Sequence, residues 1–507
     1  MKKKILLLLL LLFALSGVIF VIPKVLDRGL GSTDVTTESA IPTAEVPSET
    51  MEPDTYPVEI TPPESQQPMG PGSETRPAPT EAYDPGQPVD REKVETDLIV
   101  VSDIHYMSPS LTDYGKAFNE LVDNGDGKVV RYMPQIWQAF AEEVIAARPD
   151  AVVISGDLTM NGERANHLEL ASKLGEIEQA GIPVLVIPGN HDINNPYATQ
   201  YYGDSQSFVE TVTPEEFYQI YGAFGYSEAA SHAPDSLSYL YLLNETTWML
   251  MRASCIYEPD NEIDGEIKPG TMEWIEQCLR EAYALGVTVI PVAHHNLQEL
   301  SRVYVEECVI RNHEELARLL EFYLTPAIFT GHLHVQDVQK RLTGPGMPED
   351  HYGITEIVSN SLIIPPCQYG SLSLHTDGTM SYHTNNTDIS GWAAKHGETN
   401  PDLLEFFDFS NRYIRSVISR QTYKTISYLP ENLKEIMVEF YADLYSDYYA
   451  GKVIHYDERV AEKGYQVWDH YRNHTKQFRQ IEGMLKDSMV DNNNAEIPNP
   501  IRQIWKR

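Results

Sequence analysis

Five short blocks rich in Asp, Asn and His recur in order along the 507 residues: Asp103-Ile104-His105, Gly156-Asp157, Gly189-Asn190-His191-Asp192, His294-His295 and Gly331-His332-Leu333-His334. Carboxylate, amide and imidazole donors together suit borderline divalent ions such as Mn, Fe, Zn or Co. There are enough donors for two ions, and two divalent ions about 3.5–4 Å apart can clamp a phosphoryl group and activate a water. A lone Asp-x-His or Gly-Asp step is usually a solvated turn. Five blocks in order, each following an apolar run, point to a metal-dependent phosphoester hydrolase.

The elements that must position these blocks can be read from the apolar runs. Leu98 to Val101, Ala151 to Ile154 and Pro183 to Ile187 read as buried parallel strands whose C-terminal tips carry the first three blocks. Helical patterns over Trp137 to Ala147 and Glu163 to Ala180 lie between them. Strand–helix alternation with ligands beyond the strand C-termini is where open α/β folds build sites. Val287 to Val292 leads to His294-His295, and Ala327 to Phe329 leads to Gly331. If the Gly331 block is extended, His332 and His334 point to one side and can serve two neighbouring ions. Ser238 to Ser254, broken at Asn244-Glu245, predicts a strand pair. Tyr352 to His383 predicts several strands, with Thr376-Asp377-Gly378 as a turn. The remaining histidines His167, His232, His313 and His351 read as surface or loop residues.

Over residues 96–385 the ordered blocks resemble the calcineurin-like metallophosphoesterase superfamily. The resemblance implies an α/β fold, a sandwich of two β-sheets flanked by helices. It implies a first ion on Asp103, His105, Asp157 and His334, a second on Asp157, Asn190, His294 and His332, and Asp157 bridging both. The superfamily usually follows its isolated histidine with a short turn ending in Pro, whereas this chain has His294-His295-Asn296. His294 is therefore the expected ligand, with His295 as an alternative ligand or a substrate-binding residue. His191 follows the ligand Asn190 directly, and in the superfamily that histidine is the proposed general acid for the leaving oxygen. Asp192 is a candidate to orient the His191 ring, or else a solvated helix cap. Gly156 to Glu163, the insertion between Tyr106 and Tyr132, and Ser359-Asn360-Ser361 with Pro365-Pro366 resemble exported bacterial cyclic-nucleotide phosphodiesterases of this superfamily.

Outside the catalytic region the composition changes. Residues 1–26 carry Lys2, Lys3 and Lys4 ahead of an apolar run from Ile5 to Ile22, the pattern of a signal peptide or an uncleaved N-terminal membrane anchor. Lysines at that end keep it cytoplasmic and send the rest outward, so the expected location is extracytoplasmic, surface-anchored or secreted. Residues 27–95 hold twelve of the 33 prolines and read as a disordered Pro/Thr/Ser/Glu-rich linker. Residues 96–389 form the expected catalytic domain. From 390 to 507, apolar residues at helical spacing predict an all-helical C-terminal domain with Leu433, Met437, Phe440, Tyr441 and Leu444 in its core. The four cysteines Cys255, Cys278, Cys308 and Cys367 lack metal-binding spacing, and Cys278 reads as a buried free thiol.

The formal charge is −36, of which −29 falls in residues 96–507. Long polyanions are repelled by such a surface, so no nucleic-acid polymer is expected as partner. The expected substrate is a small phosphodiester, with cyclic nucleotides favoured by the resemblance. Fold and cage alone leave two alternatives: a phosphomonoesterase or lipid-headgroup phosphodiesterase on the same cage, and a surface-tethered binding protein with a vestigial site.

Overall fold

The computed structural model describes residues 95–304, 307–341 and 353–501. The N-terminal apolar segment, the linker up to residue 94 and His351 lie outside the described residues. Among the described residues, no helix is long and apolar enough to cross a membrane.

Fifteen strands are described. In chain order they are β1 (Thr96–Val101), β2 (Ala151–Ile154), β3 (Val184–Val186), β4 (Thr199–Tyr202), β5 (Ser205–Phe208), β6 (Ser231–His232), β7 (Tyr239–Asn244) and β8 (Thr247–Met251). There follow β9 (Thr288–Val292), β10 (Ala327–Thr330), β11 (Asp337–Lys340), β12 (Thr355–Val358), β13 (Gln368–Leu374), β14 (Thr379–Asn386) and β15 (Asn494–Pro498). One sheet runs β15-β14-β13-β1-β2-β3, a second runs β11-β12-β10-β9-β8-β7-β6, and β4-β5 is a separate hairpin.

Parallel pairing of β1, β2 and β3 requires crossovers. Helices α1 (Lys116–Asn124) and α2 (Met133–Ala147) fill the first, and α3 (Arg164–Gln179) fills the second. Val101 pairs with Ile154 and Ile154 with Val186, so the three strands end level and deliver three loops to one edge. Helices α4 (Pro214–Tyr221), α5 (Pro269–Leu285) and α6 (His313–Phe322) complete the catalytic region. β8, β9, β10 and β12 are parallel, and Phe329 pairs with Val292, which puts the His294 and Gly331 turns side by side. The expected strand pair within Ser238 to Ser254 is β7-β8. Val100, Val153 and Leu185 of the first sheet share one apolar core with Met249, Ile290 and Phe329 of the second.

The C-terminal region is helical from α7 (Ile389–Lys395) and α8 (Pro401–Leu404) through α9 (Phe406–Thr425), α10 (Glu431–Tyr449), α11 (Tyr456–Ala461), α12 (Lys463–His470) and α13 (Gln477–Asp487). Trp468 is fully buried, and its indole N–H donates to the Met437 carbonyl at 2.8 Å. The helices do not form a self-contained unit. Met437, Phe440, Trp468 and Met484 share a core with Leu333, Val335, Val358 and Ile364 of the catalytic region. Beyond the last helix the chain also departs from the all-helical expectation, because β15 adds an antiparallel edge to β14, from Thr379–Pro498 to His383–Asn494.

One histidine expected at the surface is instead internal. His167 is fully buried, with Nδ1 2.9 Å from the Tyr221 hydroxyl and Nε2 2.9 Å from the Asp192 carbonyl, and burial pushes it down to about 4. His232 is exposed on β6, as expected of a surface position, and His313, partly buried, opens α6. Cys255, Cys278 and Cys367 are free thiols, and Cys278 is buried.

Candidate active site

Five ligand-bearing positions adopt a left-handed backbone: Asp103 (φ 51°), His105 (44°), Asp157 (48°), His332 (71°) and His334 (56°). Residues with a Cβ disfavour this region, and such strain persists only where the surroundings impose it. Here Asp103 N donates to the Gly156 carbonyl at 3.1 Å and His105 N to the Asp157 carbonyl at 2.9 Å. The Ser361 hydroxyl donates to the Asp103 carbonyl at 2.7 Å, which gives the Ser359-Asn360-Ser361 segment a structural task. Close approach also fixes two glycines. A Cβ at Gly189 would lie 2.1 Å from Asp157 Oδ1, and one at Gly331 would lie 1.9 Å from the Ser102 hydroxyl.

The loops bring the donor atoms into two groups. Asp103, His105, Asp157 and His334 present ligand atoms that all lie within 4.8 Å of one another, and so do Asp157, His294 and His332. Asn190 Oδ1 joins the second group, 2.9 Å from both His294 Nε2 and His332 Nδ1. Asp157 belongs to both. His332 and His334 diverge to separate groups, but through a turned backbone closed by Leu333 N to Gly331 O at 2.8 Å rather than through an extended segment.

The donor set fits divalent cations. Asp103 Oδ1 is buried and finds no well-formed hydrogen bond, with His334 Nε2 at 3.2 Å and His105 Nε2 at 3.9 Å. His105 Nε2 and His334 Nε2 face each other at 2.9 Å. Convergence of buried acceptor atoms without matching donors is what an ion between them would relieve. His294 Nδ1 is 2.9 Å from the Ser155 carbonyl, so its proton sits there and Nε2 is left towards Asp157 Oδ2 at 3.4 Å. A carbonyl holding the far ring nitrogen is the usual way a ligand imidazole is oriented.

The structure separates His294 from His295. The His295 ring is buried, with Nδ1 2.9 Å from the Ser254 hydroxyl and Nε2 2.7 Å from the Ile263 carbonyl, so neither nitrogen remains for an ion or a substrate. The expected substrate-binding role of His295 is therefore corrected: it is a packing residue behind His294.

Asp192 is also corrected. Its carboxylate accepts from Gly189 N at 2.8 Å, Leu158 N at 3.0 Å, Thr159 N at 2.9 Å and the Thr159 hydroxyl at 2.9 Å, which ties the second block to the third. It neither caps a helix in solvent nor touches the His191 ring. That ring is held by the Met160 carbonyl, 2.6 Å from Nδ1, with Asn161 Oδ1 at 3.1 Å. Nε2 is thereby turned towards Asp157 Oδ2, 3.9 Å away, and the His191 side chain is 32% exposed while those of His105 and His294 are fully enclosed.

Electrostatics follow from burial and crowding. Burial opposes the charge on Asp157, but His294, His191 and His105 overcome it and hold the carboxyl well below the usual range. At Asp192, burial, then the charge of Asp157, push the carboxyl up to about 7. Burial likewise keeps His105 well below its ordinary value.

Two site residues escaped sequence reasoning. Asp126 Oδ2 lies 3.3 Å from Nδ1 of His334, and Lys128 Nζ lies 2.5 Å from the same oxygen. Both come from the insertion after α1, and an Asp-Gly-Lys step there looks like any solvated turn. The one available signal was the length of the insertion between a ligand-bearing strand and its crossover helix.

Residues 96–336 match the family described as calcineurin-like phosphoesterase. Residues 388–491 match the family described as C-terminal domain of cyclic nucleotide phosphodiesterase. The chain is 25% identical over 238 residues to glycerophosphodiester phosphodiesterase GpdQ of Enterobacter lignolyticus (strain SCF1), covering 47% of this chain and 70% of that protein. Among solved structures, a dimetal phosphatase from Danio rerio aligns at 13% identity and a TM-score of 0.41, covering 58% of this chain and 96% of that one. GAP50, the anchor in the inner membrane complex of Plasmodium, aligns at 10% identity and a TM-score of 0.32, covering 58% and 85%. The family match over residues 96–336 and the likeness to a phosphodiesterase make the chain a metal-dependent phosphoester hydrolase.

Proposed function

We propose that this protein is an exported phosphodiesterase that hydrolyses small phosphodiesters, with cyclic nucleotides as its substrate class. The observation that carries the reading is the pairing of a complete donor cage with a C-terminal region matching that of cyclic nucleotide phosphodiesterases. The apolar segment behind Lys2, Lys3 and Lys4 supports export.

Asp103, His105, Asp157 and His334 would hold one divalent ion and Asp157, Asn190, His294 and His332 the other. Such ions supply Lewis acidity, neutralising phosphoryl oxygens and lowering the pKa of a water towards neutrality. In the reaction, the water oxygen bonds to phosphorus, the bond to the leaving oxygen breaks, and that oxygen takes a proton. We assign that proton to His191, which gives it from Nε2 as the imidazolium while Nδ1–H is donated to the Met160 carbonyl, and the proton lost by the attacking water restores the imidazolium. Asp192 and Gly189 keep the block rigid from below.

A second reading, cleavage of glycerophosphodiesters, is favoured by the likeness to the Enterobacter lignolyticus protein. The test is a turnover panel on metal-loaded full chain with elemental analysis: 3′,5′- and 2′,3′-cyclic nucleotides, glycerophosphocholine, and a phosphocholine lipid. About two ions per chain and highest kcat/KM on a cyclic nucleotide are expected. Highest kcat/KM on glycerophosphocholine supports the second reading, and active enzyme with one ion or none overturns the two-ion cage.

A further inference from the structure

The insertion that carries Asp126 and Lys128 is gripped by the helical region. Tyr413 of α9 donates its hydroxyl to the Lys128 carbonyl at 3.0 Å, and Gln421 Nε2 donates to the Gly125 carbonyl at 2.6 Å. Arg420 pairs with Asp123 at 3.1 Å. Gly127 has φ +103°, and a Cβ there would lie 3.1 Å from Ile414, so the turn packs directly on the helix. On the other side, Val129 N donates to the Ile363 carbonyl at 2.9 Å.

This grip delivers a cation to the rim of the cage. Lys128 Nζ and His334 Nδ1 share one oxygen of Asp126, at 2.5 and 3.3 Å. The Lys128 side chain is only 11% exposed. An ammonium so largely removed from water is costly unless its three donors are used, and Asp126 takes one of them. Through Asp126 the ammonium lies one carboxylate away from His334, a member of the first donor group. In a chain with 74 acidic and 38 basic residues, a cation on a turn held in this way needs a reason other than surface solubility.

We propose that Lys128 is a substrate-binding residue that donates to a non-bridging phosphoryl oxygen of the phosphoester, with Asp126 and α9 as its positioning elements. The proposal rests on the phosphoester-hydrolase reading of the cage. It gives the helical region a part in the active site. A phosphate oxyanion can accept from the remaining ammonium donors, and charge-assisted hydrogen bonds of this kind are shorter and stronger than neutral ones.

The experiment uses metal-loaded full chain and inorganic phosphate as probe, read both as competitive inhibition of aryl-diester turnover and as calorimetric binding. Lys128→Met should weaken phosphate binding and lower kcat/KM roughly 10–100-fold, the size of a lost charged hydrogen bond. Its ion content should stay at the wild-type level, and Lys128→Arg should recover part of the loss. Gln421→Ala, which loosens the turn without touching the site, should shift phosphate affinity in the same direction by a smaller factor. Unchanged phosphate affinity in Lys128→Met overturns the proposal, and so does a loss of bound ions that accounts for the whole effect. If the wild type turns over no diester, the functional reading fails, while the calorimetric comparison still decides on Lys128.

Discussion

Nδ1 of His191 lies 2.6 Å from the carbonyl oxygen of Met160, a contact that fixes the ring and leaves Nε2 facing the cage. The side chain is held without being a member of either donor group. His191→Ala is therefore expected to keep near-normal ion content and lose roughly 10²–10⁴ in rate. The loss should be greater for alkyl leaving groups than for nitrophenyl esters, since only the former need the proton. Equal losses across a leaving-group series would leave His191 as a phosphate binder alone.

Asp192 acts through the backbone. Its carboxylate is the shared acceptor of three buried N–H groups, on Gly189, Leu158 and Thr159. Asp192→Ala strands all three, and each buried unpaired donor costs roughly 1–3 kcal/mol. Denaturant unfolding should show a large loss of stability in this variant and a smaller one in Asp192→Asn, which retains one acceptor oxygen. A stability change within about 0.5 kcal/mol of wild type in the Ala variant, the usual size for an exposed site, would contradict this role.

How the site is distributed along the chain explains what could be read from sequence. Strands β1, β2, β3, β9 and β10 announce themselves because they are short, apolar and buried on both faces, and each is followed at once by its ligands. Asp126 and Lys128 could not be found this way, since their importance arises from packing on α9, nearly 300 residues later. The inward position of His167 likewise depends on Tyr221 and the Asp192 carbonyl meeting it from other elements. β15 has only one buried side chain, Ile497, so its five residues carry no strand periodicity. Its pairing with β14 is set by backbone groups.

Asp337 provides a pH-dependent prediction. Burial pushes its carboxyl up to about 7, well above the ordinary Asp value of 3.8. An acid whose folded pKa is raised binds its proton more tightly in the folded state, so it costs stability increasingly as pH rises from about 4 to about 7 and by a constant amount above. Asp337→Asn removes this cost. Thermal unfolding should show Tm of the variant rising relative to wild type across that window. A difference that is flat with pH would contradict the raised value.

The shared core makes a prediction about truncation. Ending the chain after Thr387 removes β15 and uncovers Leu333, Val335, Val358 and Ile364, which pack against the helices. Each buried aliphatic side chain so exposed costs roughly 1.5–3 kcal/mol. The truncated protein should aggregate, or unfold at clearly lower denaturant than the full chain. A soluble truncation of full-length stability would show that the helices are an independent appendage.

The central claim, a phosphodiesterase at the Asp157-centred cage, is tested most directly by kcat/KM of the metal-loaded full chain on an aryl phosphodiester and on the matching monoester. The monoester carries nearly two negative charges against one for the diester, and the acidic surface opposes its approach more strongly. The account predicts a higher kcat/KM for the diester, abolished for both substrates by chelation. A clear preference for the monoester would contradict the phosphodiesterase assignment.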